Sequence, residues 1–295
     1  MTIMDARIKK DLMELYNEGA TPGDIQNALL LNGLIEADHK QTSFATRALP
    51  RYYNGDREAK TVMVMLNPGF GVEKANQNLK YDLEFHSMKN AKDIKNYHKG
   101  RMNFGHADKC RQDNFDLKEA FFLHKWKNTG IALPPNLSPK CDKDSPKTEK
   151  ILLAAKEIVL TQKLRLELIP YPSRSFSRFN RQKIHLLVPF VETLLDEIFS
   201  HERKYVIFCS RKFNEVFKTY NEYHPNTIIY GKKNISMGKI GDSKISGSCS
   251  VITIHYKNKS LKAIIANTFP HQALPNAYRL MEKYGEFCYK EYIKK

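Results

Sequence analysis

The chain lacks paired cysteines. Its five, Cys110, Cys141, Cys209, Cys249 and Cys288, are scattered and odd in number, and no two stand in C-x2-4-C spacing. That spacing excludes a zinc module, an iron–sulfur cluster and a disulfide framework, and it fits a reducing cytoplasm, with nucleoid association if the source is bacterial. Long apolar runs are also missing. None reaches the roughly 18 residues a membrane helix needs, and the charged start of the chain has no apolar core of a secretory signal, so neither a membrane association nor export is expected. No G-x-S-x-G nucleophile elbow and no G-x-x-x-x-G-K-[ST] phosphate loop occurs, which speaks against a hydrolase of some other nucleotide or phosphoester. His, Asp and Cys do not recur at ligand spacing, so no metal and no cofactor are expected.

Acidic residues are scarce as well. Lys and Arg number 48 against 32 Asp and Glu, a net charge of +16 over 295 residues. Such a surplus favours phosphate-rich partners, chiefly nucleic acid, with an anionic membrane as the other attractor. Hydrophobic residues make up 41% of the chain, enough for a sizeable core in one large domain or two small ones.

What is present is a strand–helix alternation. The run at 61–66 is almost uninterrupted apolar, which suits a central parallel strand covered on both faces. Further strands are expected at 164–169, 204–209 and 261–266. Helices are expected at 184–199, where apolar residues recur at helical spacing, and at 214–223. This order implies right-handed crossovers and a three-layer α/β/α sandwich around a four-stranded, mainly parallel sheet. Residues 1–60 read as an N-terminal helical segment packed on the core, with helices at 5–18 and after Thr21-Pro22-Gly23-Asp24. Residues 61–295 read as the α/β domain. Two stretches break the repeat: a Lys-rich insertion at about 72–160, ending in a helix near 147–160, and one at about 225–260, with strands at 227–230 and 250–256 around a Gly/Ser-rich loop at 238–248.

In open parallel sheets ligands bind beyond the carboxyl ends of the strands. Those ends carry Asn67, then Tyr171 to Arg174, then Ser210 to Lys212, then His271. An amide, a histidine, backbone amides near two glycines and several cations suit a leaving group that becomes anionic. Each residue also has a plainer reading. Asn67 fits a turn cap, Gly69 and Gly71 a tight turn, His271 a strand-end histidine, and Phe70 a core ring.

Met65-Leu66-Asn67-Pro68-Gly69-Phe70-Gly71 resembles the first motif of the uracil-DNA glycosylase superfamily, in the Asn-Pro-Gly form of its mismatch-specific and single-strand-selective branches. His271-Gln272-Ala273-Leu274-Pro275-Asn276 stands where that family has its His-Pro-Ser-Pro segment. His271 and Asn276 agree with it, while Gln272 and Ala273 replace Pro and Ser. The resemblance spans about 61–285 and implies a metal-independent, monofunctional DNA glycosylase. Such an enzyme would hydrolyse the N-glycosidic bond of a flipped uracil, damaged or modified base in double- or single-stranded DNA, and a monomer is expected.

The same resemblance distributes roles. Asn67 would position a water below the anomeric carbon. His271 would donate a hydrogen bond to the departing base. Pro68, Gly69, Phe70, Gly71, Tyr171, Ser173 and Asn276 would contact the substrate, with Phe70 or Tyr81 stacking on the extruded base. Pro172-Ser173 and Gly247-Ser248 would press on phosphates. The segment 171–181 interleaves cations with rings and hydroxyls, a pattern that grips nucleic acid, so Arg174, Arg178 and Arg181, with Arg211 and Lys212 after the third strand, are expected to contact DNA. Ser177 or Asn180 capping the next helix is the plainer alternative there. Uracil-specific members place an Asn at the end of the second strand. Here Glu167 is the nearest polar side chain, which leaves the identity of the base open. A catalytically silent nucleic-acid-binding module is the competing functional reading.

Overall fold

A computed structural model describes residues 2–15, 23–35, 44–48, 50–67, 114–126, 162–173, 179–240, 246–269 and 278–294. Seven strands form one sheet in the order β1-β3-β2-β4-β7-β6-β5. They are β1 (Tyr53–Gly55), β2 (Thr61–Met65), β3 (Lys163–Glu167), β4 (Tyr205–Phe208), β5 (Ile228–Lys239), β6 (Ser246–Tyr256) and β7 (Lys259–Ala266). The four strands expected from sequence lie side by side and parallel, as β3-β2-β4-β7. The sheet is larger than four strands because antiparallel neighbours extend both edges: β1 on β3, and the β5–β6 hairpin on β7.

All five residues of β2 are buried, as expected of a strand covered on both faces. Alternate side chains feed two cores. Val62, Val64, Leu164, Leu166, Val206 and Phe208 meet α1 (Ile3–Leu15), α2 (Gln26–Leu30), α4 (Val188–Phe199) and α5 (Phe213–Tyr223) on one side. Met63, Met65, Tyr205, Ile207 and Ile264 meet α3 (Asn114–Leu123) and α6 (Tyr278–Ile293) on the other. The protein is thus an α/β sandwich of three layers. No described helix is long and apolar enough to cross a membrane.

Several local expectations change in the structure. Residues 1–60 are not helical throughout, because Tyr53–Gly55 pairs with β3 and belongs to the sheet. The helix expected at 184–199 is two elements. Arg181–Leu187 is a 3-10 helix capped by the Asn180 side chain, and the α-helix starts only at Val188. Pro189 explains the break, since a residue without an N–H is tolerated in the first helical turn and not further in. Both ends of the Gly/Ser-rich stretch 238–248 are strand rather than loop, since β5 runs to Lys239 and β6 begins at Ser246, while residues 241–245 lie outside the described residues. The helix expected near 147–160 lies outside the described residues.

The helical layers are locked to the sheet by buried polar contacts. Glu119 of α3 and Lys163 of β3 are both fully buried and ion-paired, and Arg165 donates to the two Glu119 oxygens at 2.9 and 2.6 Å. Glu197 of α4 is buried against Arg57, whose Nη1 also reaches Asp5 of α1 at 2.7 Å. Helices α3 and α6 approach so closely that a Cβ on Gly285 would lie 1.9 Å from the Phe122 carbonyl oxygen. Beside that crossing, Trp126 packs among Phe122, Tyr205, Tyr289 and Tyr292.

Truncating Glu119 removes the carboxylate that Lys163 and Arg165 share in the interior, and breaking a buried ion pair by removing one partner typically costs about 3–5 kcal/mol. Glu119→Ala is expected to lower the urea midpoint accordingly. Trp126, the single tryptophan and fully buried, supplies the fluorescence signal for that unfolding curve. An unchanged midpoint would show that the pair does not hold α3 to the sheet.

Candidate functional site at the carboxyl ends of the parallel strands

Among the four parallel strands, the first in sequence sits between the second and the third. The chain leaving β2 reaches α3 on one face, whereas the chain leaving β4 enters α5 on the other. Carboxyl ends that part in this way mark the switch point at which open α/β sheets bind ligands. Asn67 follows β2 there, and Ser210, Arg211 and Lys212 follow β4.

Asn67 is held in place. Its Nδ2 donates to the Ser173 hydroxyl at 2.7 Å. Ser173 is itself fixed because its segment is clamped from both sides. Leu168 and Ile169 donate backbone hydrogen bonds to Met65 and Leu66, while Pro170 and Pro172 accept from Arg51 and Ala45. The asparagine carboxamide is therefore oriented by a fully buried hydroxyl rather than left to rotate.

Two expected substrate contacts acquire different roles. Ser173 is buried and bound to Asn67, so it orients that side chain and does not press on a phosphate. Tyr171 is fully buried; its hydroxyl donates to Asp11 Oδ2 at 2.7 Å, with the Tyr52 hydroxyl donating to the same oxygen at 2.8 Å. Tyr171 thus ties the strand exit to α1, and its phenol is kept protonated by burial first and by the neighbouring Tyr52 and Asp11 next. Gly247-Ser248 is strand rather than a phosphate-facing turn. A Cβ on Gly247 would meet Ile240 and Tyr284 at 3.0–3.2 Å, and the Ser248 carbonyl accepts from Tyr284 at 2.6 Å.

The expected DNA contacts divide as well. Arg211 and Arg181 are exposed, Arg211 directly after β4 and Arg181 at the head of the 3-10 helix. Lys212 is half-buried, with Nζ 5.0 Å from the centre of the Phe179 ring. His271, Pro68, Gly69, Phe70, Gly71, Asn276, Arg174 and Arg178 lie outside the described residues, as do Tyr81 and Ser177. Asn180 does cap the following helical turn, accepting from the Gln182 N–H at 3.1 Å.

The structure also gathers residues that the sequence did not single out. At the end of β7, Asn267 accepts from Asn214 of α5 at 3.0 Å and donates to Asn234 of β5 and Ser250 of β6 at 3.3 Å. This amide network pins four elements together at the rim, four residues before His271. Positions so far apart leave no spacing signal in a single sequence.

Glu167 ends β3 opposite Met65 of β2, two residues before Asn67. Its Oε2 is shut away from solvent without a hydrogen-bond partner among the described residues. Burial pushes its carboxyl up to about 8, Glu119 adds to the shift, and the Arg165, Arg51 and Lys163 charges oppose it. At neutral pH it is mostly a neutral acid, able to donate as well as accept.

Because the folded state holds this proton more tightly than the unfolded chain, whose ordinary value is near 4.5, stability falls as pH rises from about 4.5 to about 8 and levels off above. Glu167→Gln removes the ionisable group and keeps its size. The variant is expected to match the wild type at pH 4 and to exceed it by roughly 4 kcal/mol at pH 8, read by urea unfolding. A constant difference across that range would contradict the assignment.

Comparison with protein-family models, with curated proteins and with solved structures yields no match to this chain, so the geometry of the strand ends is what bears on function.

Proposed function

We propose that the protein is a metal-independent glycosylase of uracil-DNA-glycosylase-like type, hydrolysing the N-glycosidic bond of a base flipped out of DNA. The observation that carries the reading is the placement of Asn67: it ends the central strand, at the switch point of the sheet, with its amide oriented by Ser173. The Asn-Pro-Gly motif then supplies the role.

Breaking the bond builds positive charge on the sugar and negative charge on the base. A water lying below the anomeric carbon donates to Oδ1 of Asn67, which sets its direction of attack. Asn67 is neutral and too weak to be a real base, so the departing base must be stabilised instead. His271, following β7, donates to the base oxygen that gains charge, an interaction stronger in the transition state than in the ground state. The water oxygen bonds to the anomeric carbon as the C–N bond breaks. One water proton passes to solvent, and the base leaves as an anion that solvent protonates. Flipping is required because the bond is inaccessible within a stacked duplex.

Base release from damaged and naturally modified DNA, followed by mass spectrometry, is the primary test. On a substrate so identified, Asn67→Ala and His271→Ala should lower single-turnover cleavage far more than DNA affinity, with about 10²–10³ lost at His271. Chelators should leave the rate unchanged. Full activity of the double variant, or its abolition by EDTA, would reject the mechanism. Absence of any base release by the wild type, with DNA binding retained, would make the chain a silent binding module.

A further inference from the structure

Between residues 223 and 267 the chain has seven lysines and a single carboxylate, Asp242. Strands β5, β6 and β7 contain no Asp or Glu at all. This acid-free wing is the antiparallel end of the sheet, and its last strand, β5, has no further neighbour among the described residues.

The hairpin is longer than the strand that supports it. Pairing of β6 with β7 ends at Cys249 and Ala266, whereas β5 and β6 continue through Ser236–Ser248 and Gly238–Gly247 to Lys239–Ser246. At about 3.4 Å per residue, the extra pairs carry the two strands roughly 10 Å past the end of β7. This is the carboxyl rim, the side of the sheet on which Asn67 and Arg211 stand. The extension is braced. Ile240 is fully buried, Tyr284 of α6 donates to the Ser248 carbonyl, and Thr268 accepts from the Ser248 N–H at 3.0 Å. Asn234, at a positive φ of 50°, is bonded through Ser250 and Asn267 to the rim.

The six lysines among the described residues of the wing fall into two groups; Lys244 lies outside them. At the amino end of the parallel strands Lys257 pairs with Asp196 at 2.5 Å, and Lys259 and Lys262 donate to backbone carbonyls. Their charges are engaged within the fold. Toward the rim, Lys232, Lys233 and Lys239 are exposed and have no carboxylate partner among the described residues; Lys233 lies 4.1 Å from the centre of the Tyr230 ring. Protection of an edge strand explains charge and irregular pairing there. It does not explain the exclusion of acid, since either sign of charge blocks edge pairing.

We propose that this projecting hairpin edge is a nucleic-acid backbone-tracking surface, with Lys232, Lys233 and Lys239 lying along the phosphate backbone of the strand delivered to Asn67. The inference deepens the glycosylase reading and rests on its nucleic-acid partner. A lipid surface fits less well. Surface-bound elements insert large apolar side chains, and among the described residues of the hairpin the one such exposed side chain is Ile229, which pairs with Thr253 toward the opposite end.

The test is a fluorescence-anisotropy titration of labelled duplex and single-stranded oligonucleotides between about 50 and 200 mM salt. The triple variant Lys232→Ala/Lys233→Ala/Lys239→Ala should bind more weakly. Its slope of log K against log salt on duplex DNA should be shallower by about 2–3, at about 0.9 for each phosphate that is no longer neutralised. Lys→Arg at the same positions should keep affinity and slope. Lys257→Ala/Lys259→Ala, with the same chemistry at the other end of the wing, should change neither. Trp126 fluorescence reports whether each variant is folded. A folded triple variant with wild-type affinity and slope overturns the surface while leaving wild-type DNA binding and base release, and so the glycosylase reading, intact. An equal loss from the amino-end pair also overturns it. A wild type that binds no oligonucleotide rejects both, and lysine-dependent capture by phosphatidylserine vesicles in that case assigns the wing to a membrane.

Discussion

The burial of β2 on both faces constrains everything else. A strand whose five residues are all covered needs a helical layer on each side, and it needs parallel neighbours whose crossovers supply those layers. The apolar contribution is non-directional, so it does not by itself fix where each helix docks. Directionality comes from three buried carboxylates, one on each of three helices. Asp11 of α1 receives the Tyr52 and Tyr171 hydroxyls, Glu119 of α3 receives Lys163 and Arg165, and Glu197 of α4 receives Arg57. A helix slipped by one turn would strand a charge in the interior, at a cost of about 3–5 kcal/mol, so these pairs select one arrangement among many apolar ones.

The same constraint frames the site. On the β3 side, the segment after the strand is sealed by backbone hydrogen bonds from Ala45 and Arg51, which explains why Tyr171 faces inward and Ser173 is left to hold Asn67. On the β7 side, the long hairpin and the Asn214–Asn267–Asn234 network form a second wall. Asn67 lies between the two, at the place where the chains leaving β2 and β4 diverge. Among the described residues, precision at that position is inherited from the backbone clamps on the segment after β3.

The four parallel strands are legible in the sequence because burial on two faces demands unbroken apolar runs, and 61–66 is such a run. The strand ends are legible for a related reason, since Pro, Gly, Asn and cations punctuate those runs. The helices at 188–199 and 213–223 and the hairpin strands around 228–230 and 250–256 are legible too, but other parts of the fold are not. Three residues suffice for β1 because its partner already exists, so Tyr53–Gly55 leaves almost no pattern. The start of β5 is announced at 227–230, but beyond Tyr230 the strand is exposed for most of its length and carries no apolar alternation. The role of Tyr171 is hidden because a tyrosine beside a strand end looks the same whether its hydroxyl meets a ligand or a carboxylate 160 residues earlier. Glu119 falls within a stretch that reads as an insertion, where its buried partners on β3 are invisible to local spacing.

The charge surplus acquires a finer meaning in three dimensions. Net charge treats every cation alike, yet Arg57, Lys163, Arg165 and Arg203 face buried carboxylates and are committed to the fold. A cation whose field is neutralised within a few ångströms contributes little at the distance of an approaching polyanion, particularly once salt screens it beyond about 8–10 Å. The attraction expected of this surface therefore comes from exposed cations with no carboxylate nearby. Where the described residues hold a cluster of these, at Lys232, Lys233 and Lys239, it is built on an edge that runs past the end of its supporting strand, on the same side of the sheet as Asn67. Folding has thus divided the basic residues into an inner set that faces buried carboxylates and an exposed set, of which Lys232, Lys233 and Lys239 stand toward the strand ends.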